Sequence, residues 1–395
     1  MIYSQTAVKS QESIRSISIL GSTGSIGVNT VDLVKRTPDL FDVRALSANN
    51  NVSLLAEQAK DLEAEIAVVA DENYYEDLKK ALSGSGVEVA AGRQALIDAA
   101  MRQSDWVMAS IVGIAGLEPT FKAVERGAII GLANKECLVS AGNVMIKKID
   151  QHGATIIPVD SEHSAIFQVF DFDDPTKINR IILTASGGPF WKKSLDEMAQ
   201  MTPHQAISHP NWEMGTKISV DSATMMNKGL EIIEAYHLFP VREEQIEILV
   251  HPQSVVHSLV DYVDGSVLAQ LGSPDMRTPI AFALGWPNRL EVPAPMLKLQ
   301  EIRHLSFEPP DESRFPSLRI AREALKKGGN APTVMNAANE VAVQGFLGGA
   351  IGFLEIASIV EKTLEKAHYT SIASLQDVLD ADEVAREISK TYIRK

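Results

Sequence analysis

Short apolar runs alternate with stretches of helical periodicity over the first 160 residues. Apolar residues recur at helical spacing over 29–36, a stretch that Pro38 closes, and again around 54–62. The short runs predict buried strands at 17–20, 43–48, 66–70, 87–90, 106–109, 128–132 and 155–159. Strands that alternate with helices form a parallel, doubly wound sheet. We therefore predict an α/β fold for residues 1–160.

The pattern changes near residue 161. A long stretch, 187–217, lacks regular periodicity, and such a loop inside a compact domain is usually functional, often a lid. Four further strands are predicted, the last two as a hairpin around Asp264-Gly265, at 180–184, 246–250, 254–260 and 266–271. From Phe315 the pattern is helical and broken by glycines. We predict a central α+β catalytic domain (161–286), a linker (287–314) and a C-terminal α-helical bundle domain (315–395).

Composition narrows the class of protein. A chain of 395 residues is too long for one core and predicts two or three domains. The formal net charge of -14 argues against a nucleic-acid partner, and any phosphate site must be built locally. The single cysteine, Cys137, excludes an internal disulfide and fits a reducing compartment. Without a signal-peptide pattern or a membrane-length apolar run, we expect a soluble, cytoplasmic protein with no membrane partner.

A glycine-rich turn joins the first predicted strand to the first predicted helix. Its sequence is Gly21-Ser-Thr-Gly24-Ser-Ile-Gly27. In this context glycines let the backbone approach a dinucleotide pyrophosphate at a helix N-terminus. The spacing is GxxGxxG instead of GxGxxG, so a connector that binds nothing is the alternative. The motif favours a Rossmann-like dinucleotide-binding domain.

The end of the second predicted strand indicates which dinucleotide is bound. An NAD site places Asp or Glu there to accept from the ribose 2′-hydroxyl. This chain has Asn49, Asn50 and Asn51 instead, with no acid. Neutral donors tolerate a 2′-phosphate, so NADP is favoured, although no Arg or Lys follows to hold that phosphate.

Four polar side chains with complementary chemistry lie within residues 219–231. A helix from about Met225 would place Asn227, Lys228 and Glu231 on one face, one turn beyond Ser222. Hydroxyl, amide and ammonium groups all donate to phosphate, but a neighbouring carboxylate repels it unless a cation lies between. A solvated polar helix face is the alternative.

Two further carboxylates follow the strand at 155–159. On an extended segment Asp160 and Glu162 would point the same way, at the sheet edge where ligands bind. With Glu231 they would form the all-oxygen set that Mg²⁺ or Mn²⁺ prefers. The alternatives are an N-cap with a surface carboxylate, and a zinc site that includes His163.

Several longer motifs resemble one enzyme family over most of the chain, from about residue 17 onward. They occur in family order as Gly21–Gly27, Leu132–Glu136, Pro158–His163, Ser186–Phe190, His209–Trp212, Ile218–Glu231, His251–Ser254, Met276–Pro279 and Asn336–Glu340. The chain thereby resembles the 1-deoxy-D-xylulose 5-phosphate reductoisomerase family. The resemblance implies conversion of that substrate to 2-C-methyl-D-erythritol 4-phosphate in non-mevalonate isoprenoid synthesis. It also implies NADPH, a divalent metal (Mg²⁺, Mn²⁺ or Co²⁺), a homodimer and inhibition by fosmidomycin.

The resemblance also implies a role for individual residues. The metal ligands would be Asp160, Glu162 and Glu231. Contacts to the small phosphorylated sugar would come from Lys135, Ser161 and Glu162 near the metal, from Ser186, Ser222, Asn227 and Lys228 at the phosphate, and from His209 on the lid. Cofactor contacts would be Thr23, Gly24, Ser25, Ile26, Asn49, Asn50, Asn51, Asn134, Glu136 and Gly215. Many members carry Gly-Lys-Asn where this chain has Asn49-Asn50-Asn51, which weakens the expected grip on the 2′-phosphate.

The implied mechanism is a retro-aldol cleavage and aldol re-formation on the metal, followed by hydride transfer from NADPH. Trp212 on the lid would cover the substrate, or alternatively pack on its own domain. Two other functions stay open at this point. A semialdehyde dehydrogenase would need Cys137 as nucleophile, and a non-catalytic NADP sensor would need neither metal nor phosphate ligands.

Overall fold

The protein is described here by a computed structural model that covers residues 14–208, 212 and 214–393. Its first sheet is built from Arg15–Leu20 (β1), Phe41–Ala48 (β2), Ile66–Val69 (β3), Glu88–Ala91 (β4), Trp106–Ala109 (β5), Ile129–Leu132 (β6) and Thr155–Pro158 (β7). These seven strands are all parallel, in the order β4-β3-β2-β1-β5-β6-β7. The predicted doubly wound sheet is confirmed, because every predicted strand is present to within two residues.

Helices connect these strands. They are Ser25–Arg36 (α1), Val52–Asp61 (α2), Tyr75–Ala81 (α3), Gly92–Met101 (α4), Leu117–Glu125 (α5) and Glu136–His152 (α6). The predicted start of the first helix at Asn29 was wrong, since α1 begins at Ser25, inside the glycine motif. The reason is steric: a Cβ at Gly27 would lie 2.2 Å from the carbonyl oxygen of Gly21, so only glycine lets the first turn approach the loop this closely.

The second sheet is smaller and mixed. Its strands are Ile178–Ala185 (β8), Ile246–Val250 (β9), Val256–Tyr262 (β10) and Val267–Leu271 (β11), in the order β11-β10-β8-β9. The predicted hairpin is confirmed, because β10 and β11 are antiparallel, whereas β8 and β9 are parallel. The helices in this part of the chain are Ser161–Val169 (α7), Leu195–Met198 (α8), Pro203–Ile207 (α9), Thr216–Ala223 (α10), Met226–Leu238 (α11) and Arg277–Gly285 (α12), of which α12 belongs to the same unit as the first sheet.

The stretch 187–217 is more regular than the sequence predicted. It contains α8, α9 and the start of α10. Capping boxes at Ser194 and Thr202 begin the first two of these helices, and each supplies a side-chain acceptor to an otherwise unpaired backbone N–H. The role of this stretch as a lid stays a prediction.

The C-terminal part is helical, as predicted. Its helices are Ser317–Lys327 (α14), Ala331–Leu347 (α15), Glu355–Lys366 (α16) and Leu375–Ile393 (α17), and a short helix, Leu299–Ile302 (α13), lies within the segment predicted as a linker. An apolar cluster joins Leu230 and Ile233 of α11 to Ile320 of α14 and Met335 of α15. Gly229 lets α11 and α14 come close, because a Cβ there would lie 2.9 Å from that of Ala321.

The chain forms two compact units, each assembled from separate stretches. The first consists of Met145–Ser164, Met276–Ala294 and the described residues of Met1–Cys137. The second consists of Leu138–Val144, Ala165–Asp275 and the described residues of Pro295–Lys395. The functional division at residues 160, 286 and 314 stays a prediction. Within the described ranges, no helix combines the length and the apolar character needed to cross a bilayer.

Candidate active site

The glycine turn of the first unit presents an uncapped helix end. Gly24 is the N-cap of α1, no side chain caps it, and no acidic residue occupies the first turn of this twelve-residue helix. Gly24 is exposed, and a Cβ there would meet only the oxygen of Gly21, at 3.5 Å. An N-terminus of this kind directs N–H groups and positive dipole toward an anion. Thr23, Gly24, Ser25 and Ile26, which were predicted as cofactor contacts, all lie at this end, which fits a dinucleotide.

The end of β2 has two roles. Ser47 holds the glycine turn, since its Oγ accepts from the Gly21 N–H at 3.0 Å and its carbonyl from the Ser22 N–H at 2.7 Å. Asn51 caps α2 by accepting from the Leu54 N–H at 3.3 Å, and its amide nitrogen can still donate to a ligand. Asn49 and Asn50 are exposed beside it. The three asparagines therefore lie together, with neutral groups where a 2′-phosphate was predicted.

Asn134 and Lys135 lie between β6 and α6. The Asn134 amide donates to the carbonyls of Ile111 and Gly113, at 2.6 and 2.9 Å, and so fixes the loop that follows β5. This loop carries no sequence motif and was not predicted as part of the site. The Lys135 ammonium nitrogen lies 2.7 Å from Oδ2 of Asp160. Glu136, the next residue, is buried at the start of α6.

The expected extended geometry at Asp160 and Glu162 was wrong. Helix α7 begins at Ser161, because the Asp160 carbonyl accepts from the Ser164 N–H at 2.8 Å and its Oδ1 from the Glu162 N–H at 3.2 Å. Asp160 thus caps the N-terminus of α7, which was the alternative prediction for this residue. Its other carboxylate oxygen, Oδ2, pairs with Lys135. The Ser161 hydroxyl bonds to Glu162, and Nδ1 of His163 lies 3.2 Å from Asp160.

These contacts fit a hard divalent cation. The two carboxylates provide oxygen donors only, and an ammonium group already lies beside one of them, which shows that this position accepts positive charge. Imidazole contact to a carboxylate of this kind is a common way of orienting a metal ligand.

In the second unit, the predicted helix face on α11 is confirmed. Nδ2 of Asn227 donates to Oε1 of Glu231 at 2.5 Å, and the Lys228 ammonium donates to Oε2. Glu231 is fully buried and Lys228 is 3% exposed, so the polar face is not a solvated one. The ammonium offsets the carboxylate charge beside the predicted phosphate site. Met225 precedes the helix in the left-handed conformation (φ 62°), and no acidic residue occupies the first turn, which again suits an anion.

A glycine contact brings two of the predicted phosphate donors into one region. Ser186 follows β8 directly, and its Oγ accepts from the Gly188 N–H at 3.2 Å. A Cβ at Gly188, where φ is +68°, would lie 2.5 Å from the carbonyl oxygen of Ser222. The loop at Ser186 therefore packs directly on the last turn of α10, where Ser222 lies.

Trp212 is close to the second sheet. Its ring centroid lies 6.0 Å from that of His257 on β10, so it packs within its own unit, the alternative given for it. Burial lowers the pKa of His257 to about 4. Gly215 is the N-cap of α10. His209, the predicted lid contact, lies outside the described residues.

His251 has a role that sequence reasoning missed. Its Nε2 accepts from the N–H groups of Val255 and Val256, both at 3.2 Å, so Nδ1 carries the proton and donates to the Ser306 carbonyl at 2.8 Å. The ring also stacks on Phe307, with centroids 4.6 Å apart. His251 thereby joins the connection between β9 and β10 to the segment before α14. The motif His251–Ser254 was recognised in the sequence, but it predicted no role for this histidine.

Comparisons of the sequence with known proteins indicate one family. The family model of 1-deoxy-D-xylulose 5-phosphate reductoisomerase matches residues 17–142, its C-terminal domain matches 156–239, and a DXP reductoisomerase C-terminal domain matches 271–388. The reductoisomerase of Rhodospirillum centenum is 58% identical over 97% of this chain and 95% of its own. The chain belongs to the 1-deoxy-D-xylulose 5-phosphate reductoisomerase family. The reductoisomerase of Zymomonas mobilis is also 58% identical, over 94% of this chain and 96% of its own.

Solved structures of the family have the same fold. The reductoisomerase of Zymomonas mobilis in complex with NADPH matches with a TM-score of 0.93 and 54% identity, over 97% of this chain and all of that one. A DOX-P reductoisomerase in complex with NADPH, fosmidomycin and magnesium matches with a TM-score of 0.91 and 40% identity, over 96% and 98% of the two chains.

Membership of the reductoisomerase family confirms the predicted activity. The protein is an oxidoreductase that isomerises and reduces 1-deoxy-D-xylulose 5-phosphate. The semialdehyde dehydrogenase alternative has no support, because the thiol of Cys137 is fully buried at the start of α6. The alternative of a non-catalytic NADP sensor is excluded as well, because the family to which the chain belongs is an enzyme family.

Proposed function

We propose that this protein converts 1-deoxy-D-xylulose 5-phosphate to 2-C-methyl-D-erythritol 4-phosphate with NADPH and Mg²⁺. The observation that carries the proposal is the first turn of α11, where Asn227 and Lys228 lie at a helix end without acidic side chains. Donors, an ammonium group and the helix dipole all favour a phosphate there. Ser186 and Ser222 add hydroxyl donors, and we assign the substrate phosphate to these four residues.

The cofactor belongs at the N-terminus of α1. A close relative of known structure is a complex with NADPH, and the uncapped, acid-free helix end at Gly24 supports the same cofactor here. The pyrophosphate would be held by Thr23, Ser25 and Ile26. The 2′-phosphate would be held by Asn49, Asn50 and Asn51. The remaining parts of the cofactor would be contacted by Asn134, Glu136 and Gly215. Since Asn50 replaces lysine, we expect weaker discrimination against NADH than in members that carry Gly-Lys-Asn.

Asp160, Glu162 and Glu231 would hold the metal. A reductoisomerase of known structure is a complex with magnesium, and the all-oxygen donors present here suit Mg²⁺ or Mn²⁺, with Co²⁺ as a further candidate. A divalent ion supplies Lewis-acid polarisation of the substrate carbonyl and its adjacent hydroxyl.

The residues of this chain would perform the remaining tasks. Lys135 and Ser161 would hold the sugar oxygens next to the carboxylates that they already contact. The phosphate donors would retain the phosphate-bearing C4–C5 fragment when the C3–C4 bond breaks, because an anchored fragment cannot diffuse away. Lys135 and Ser161 would hold the C1–C3 fragment until a new bond forms between C2 and C4. His209 would contact the substrate from the predicted lid, and closure of that lid would exclude water while hydride is transferred from NADPH.

We also propose that the protein is a cytoplasmic homodimer, in which the dimer is what the family resemblance implies. Strand β11 is the end strand of the second sheet, and Val263, Val267, Leu268 and Leu271 in or beside it are exposed. An unpaired edge with apolar side chains is a site for pairing with a second copy. Sedimentation of the purified protein would test this, and Leu268→Lys should shift a dimer toward monomer.

NADPH oxidation with 1-deoxy-D-xylulose 5-phosphate tests the proposed function. We expect turnover that EDTA abolishes and that Mg²⁺ or Mn²⁺ restores. Lys228→Ala should raise the KM for this substrate more than the KM for NADPH, because the substrate phosphate loses its ammonium partner whereas the cofactor is proposed to bind elsewhere. Metal-independent turnover, or an unchanged substrate KM in the variant, would contradict the assignment.

A further inference from the structure

The motif Asn336–Glu340 has no role in the site described so far. It lies on α15, and both of its asparagines are fully buried. The amide nitrogen of Asn339 donates to Oδ1 of Asp221 on α10 at 2.7 Å. The amide oxygen of Asn339 has no hydrogen-bond partner among the described residues. Among the described residues, the hydrogen bond of the Asn339 side chain is therefore the one that its nitrogen donates to Asp221.

Asp221 is a carboxylate with no exposed surface. Its Oδ2 lies 3.0 Å from the ammonium nitrogen of Lys217, one turn earlier on α10, and the side chain of Lys217 is 15% exposed. A buried carboxylate is costly unless each oxygen has a partner. Lys217 moves with α10, whereas Asn339 belongs to a different helix. The bond from Asn339 thus ties α10 to α15 through a buried polar contact.

The residue after Asp221 is Ser222, on the last turn of α10. Its carbonyl accepts from the Met225 N–H at 3.2 Å, in the left-handed turn that leads into α11. Displacement of Asp221 would therefore displace the Ser222 hydroxyl. It would also move the turn that leads to Asn227 and Lys228.

We infer that Asn339, acting through Asp221, is a positioning residue for the substrate phosphate. Helix α15 sets the place at which α10 presents Ser222, which assigns a role to the motif Asn336–Glu340. This inference rests on the proposed function, since Ser222 must be a phosphate donor for it to hold.

The test compares kinetic constants of two matched variants. In Asn339→Ala the KM for 1-deoxy-D-xylulose 5-phosphate should rise about 10-fold, because small displacements of positioning groups change binding by such factors. The kcat and the KM for NADPH should change less than about twofold. Asn336→Ala is the control: it removes an equally buried asparagine of the same helix, whose amide donates to Glu340 and not to α10.

A charge exchange provides the rescue. In the double variant Asp221→Asn with Asn339→Asp, an amide again donates to a carboxylate between α10 and α15, although Lys217 loses its carboxylate partner, so the substrate KM should fall below that of Asn339→Ala. If Asn339→Ala does not fold, Asn339→Ser, which keeps a donor in a smaller side chain, is measured instead and should show the same selective rise in KM.

Three results would overturn the inference: an unchanged substrate KM, an equal rise in the KM for NADPH, or the same rise in Asn336→Ala. Each is read against the wild-type protein. A wild-type protein that does not turn over the substrate would refute the proposed function. An active wild type together with an unchanged substrate KM in Asn339→Ala would refute only the role of Asn339.

Discussion

Three carboxylates of this protein each have a lysine of the same unit beside them. Asp160 pairs with Lys135, Glu231 with Lys228 and Asp221 with Lys217. In a chain with a net charge of -14, local pairing of this kind keeps anionic ligands from being repelled. Charge balance in the candidate site is therefore achieved residue by residue.

Glu231→Gln tests the metal role at the residue scale. Glutamine has nearly the same shape but no charge, so we expect kcat to fall by more than about 100-fold, beyond the loss typical of residues outside the metal's ligand set. The KM for NADPH should stay within about twofold, since the cofactor is proposed to bind elsewhere. Steady-state assays with saturating Mg²⁺ measure both, and Glu383→Gln, an exposed substitution on α17, is the control. A kcat near wild type would exclude Glu231 as a ligand.

The buried ring of His257 predicts loss of stability in acid. Its pKa is lowered to about 4 by burial, from an ordinary value of 6.5. Below pH 6.5 the unfolded chain binds a proton that the folded chain does not, so the free energy of unfolding falls as the pH drops toward 4. The loss should reach about 3 kcal/mol at pH 4.

Urea unfolding at pH 7 and at pH 4.5 measures this effect. His257→Gln should reduce the difference between the two pH values by about 2 kcal/mol, because this ring no longer titrates. His204→Gln removes an exposed histidine for comparison and should leave the difference as in wild type. Equal behaviour of the two variants would contradict the assignment.

At the scale of elements, loops and helix ends position the polar groups. Helix α10 ends at the proposed phosphate donors, α11 begins there, and the loop after β8 packs on the end of α10 through Gly188. None of these contacts involves a strand interior. The sheets supply a rigid frame, and the chemistry lies where elements end.

Gly188→Ala should damage the phosphate site. Alanine would adopt a left-handed conformation and its Cβ would meet the Ser222 carbonyl, so we expect the free energy of unfolding to fall by about 2–4 kcal/mol and the substrate KM to rise several-fold. Gly86→Ala is the matched control, since φ is +83° there but nothing lies within 4 Å of the added Cβ. It should cost only the backbone strain, about 1 kcal/mol, and leave the kinetics unchanged. Chemical denaturation and steady-state kinetics compare the pair, and equal effects would argue against the steric contact.

The elements that could be predicted are those with a local cause. Strand β3 is buried along its whole length, so its apolar run is unambiguous. The start of α1 was misplaced because glycine disfavours helices, whereas here the close approach of Gly27 to Gly21 requires it. At Asp160 the extended pattern was wrong because a cap interaction starts a helix. The bond between Asp221 and Asn339 joins positions 118 residues apart, and no periodicity signals such a contact.

At the scale of the whole molecule, the chain does not divide into consecutive domains. The first unit needs Met276–Ala294 as well as its N-terminal stretches. Trp106 on β5 shows why: its ring is fully buried, it lies over Gly131, and its Nε1 donates to the Ala283 carbonyl of α12 at 3.0 Å. Arg15 donates to the carbonyl of Trp286 at 3.0 Å in the same region.

A fragment of residues 1–164 should therefore be incompletely folded. Trp106 is its only tryptophan, so its fluorescence reports on the missing cover, and we expect red-shifted emission and rapid proteolysis. A second fragment, in which a flexible linker joins 1–164 to 276–294 with Trp286→Phe, should show blue-shifted emission and slower cleavage. Identical spectra of the two fragments would show that α12 does not stabilise this unit.

The interleaved path has a consequence for synthesis on the ribosome. A domain encoded in one uninterrupted stretch can fold as soon as it emerges, ahead of the rest of the chain. Here the seven-stranded sheet is complete by Pro158, yet the segment that covers Trp106 is translated more than a hundred codons later. During that interval the apolar surface around Trp106 on the nascent sheet stays exposed to solvent. Holdase chaperones would bind this surface, so the yield of folded enzyme should depend on them and on the speed of translation between these two points.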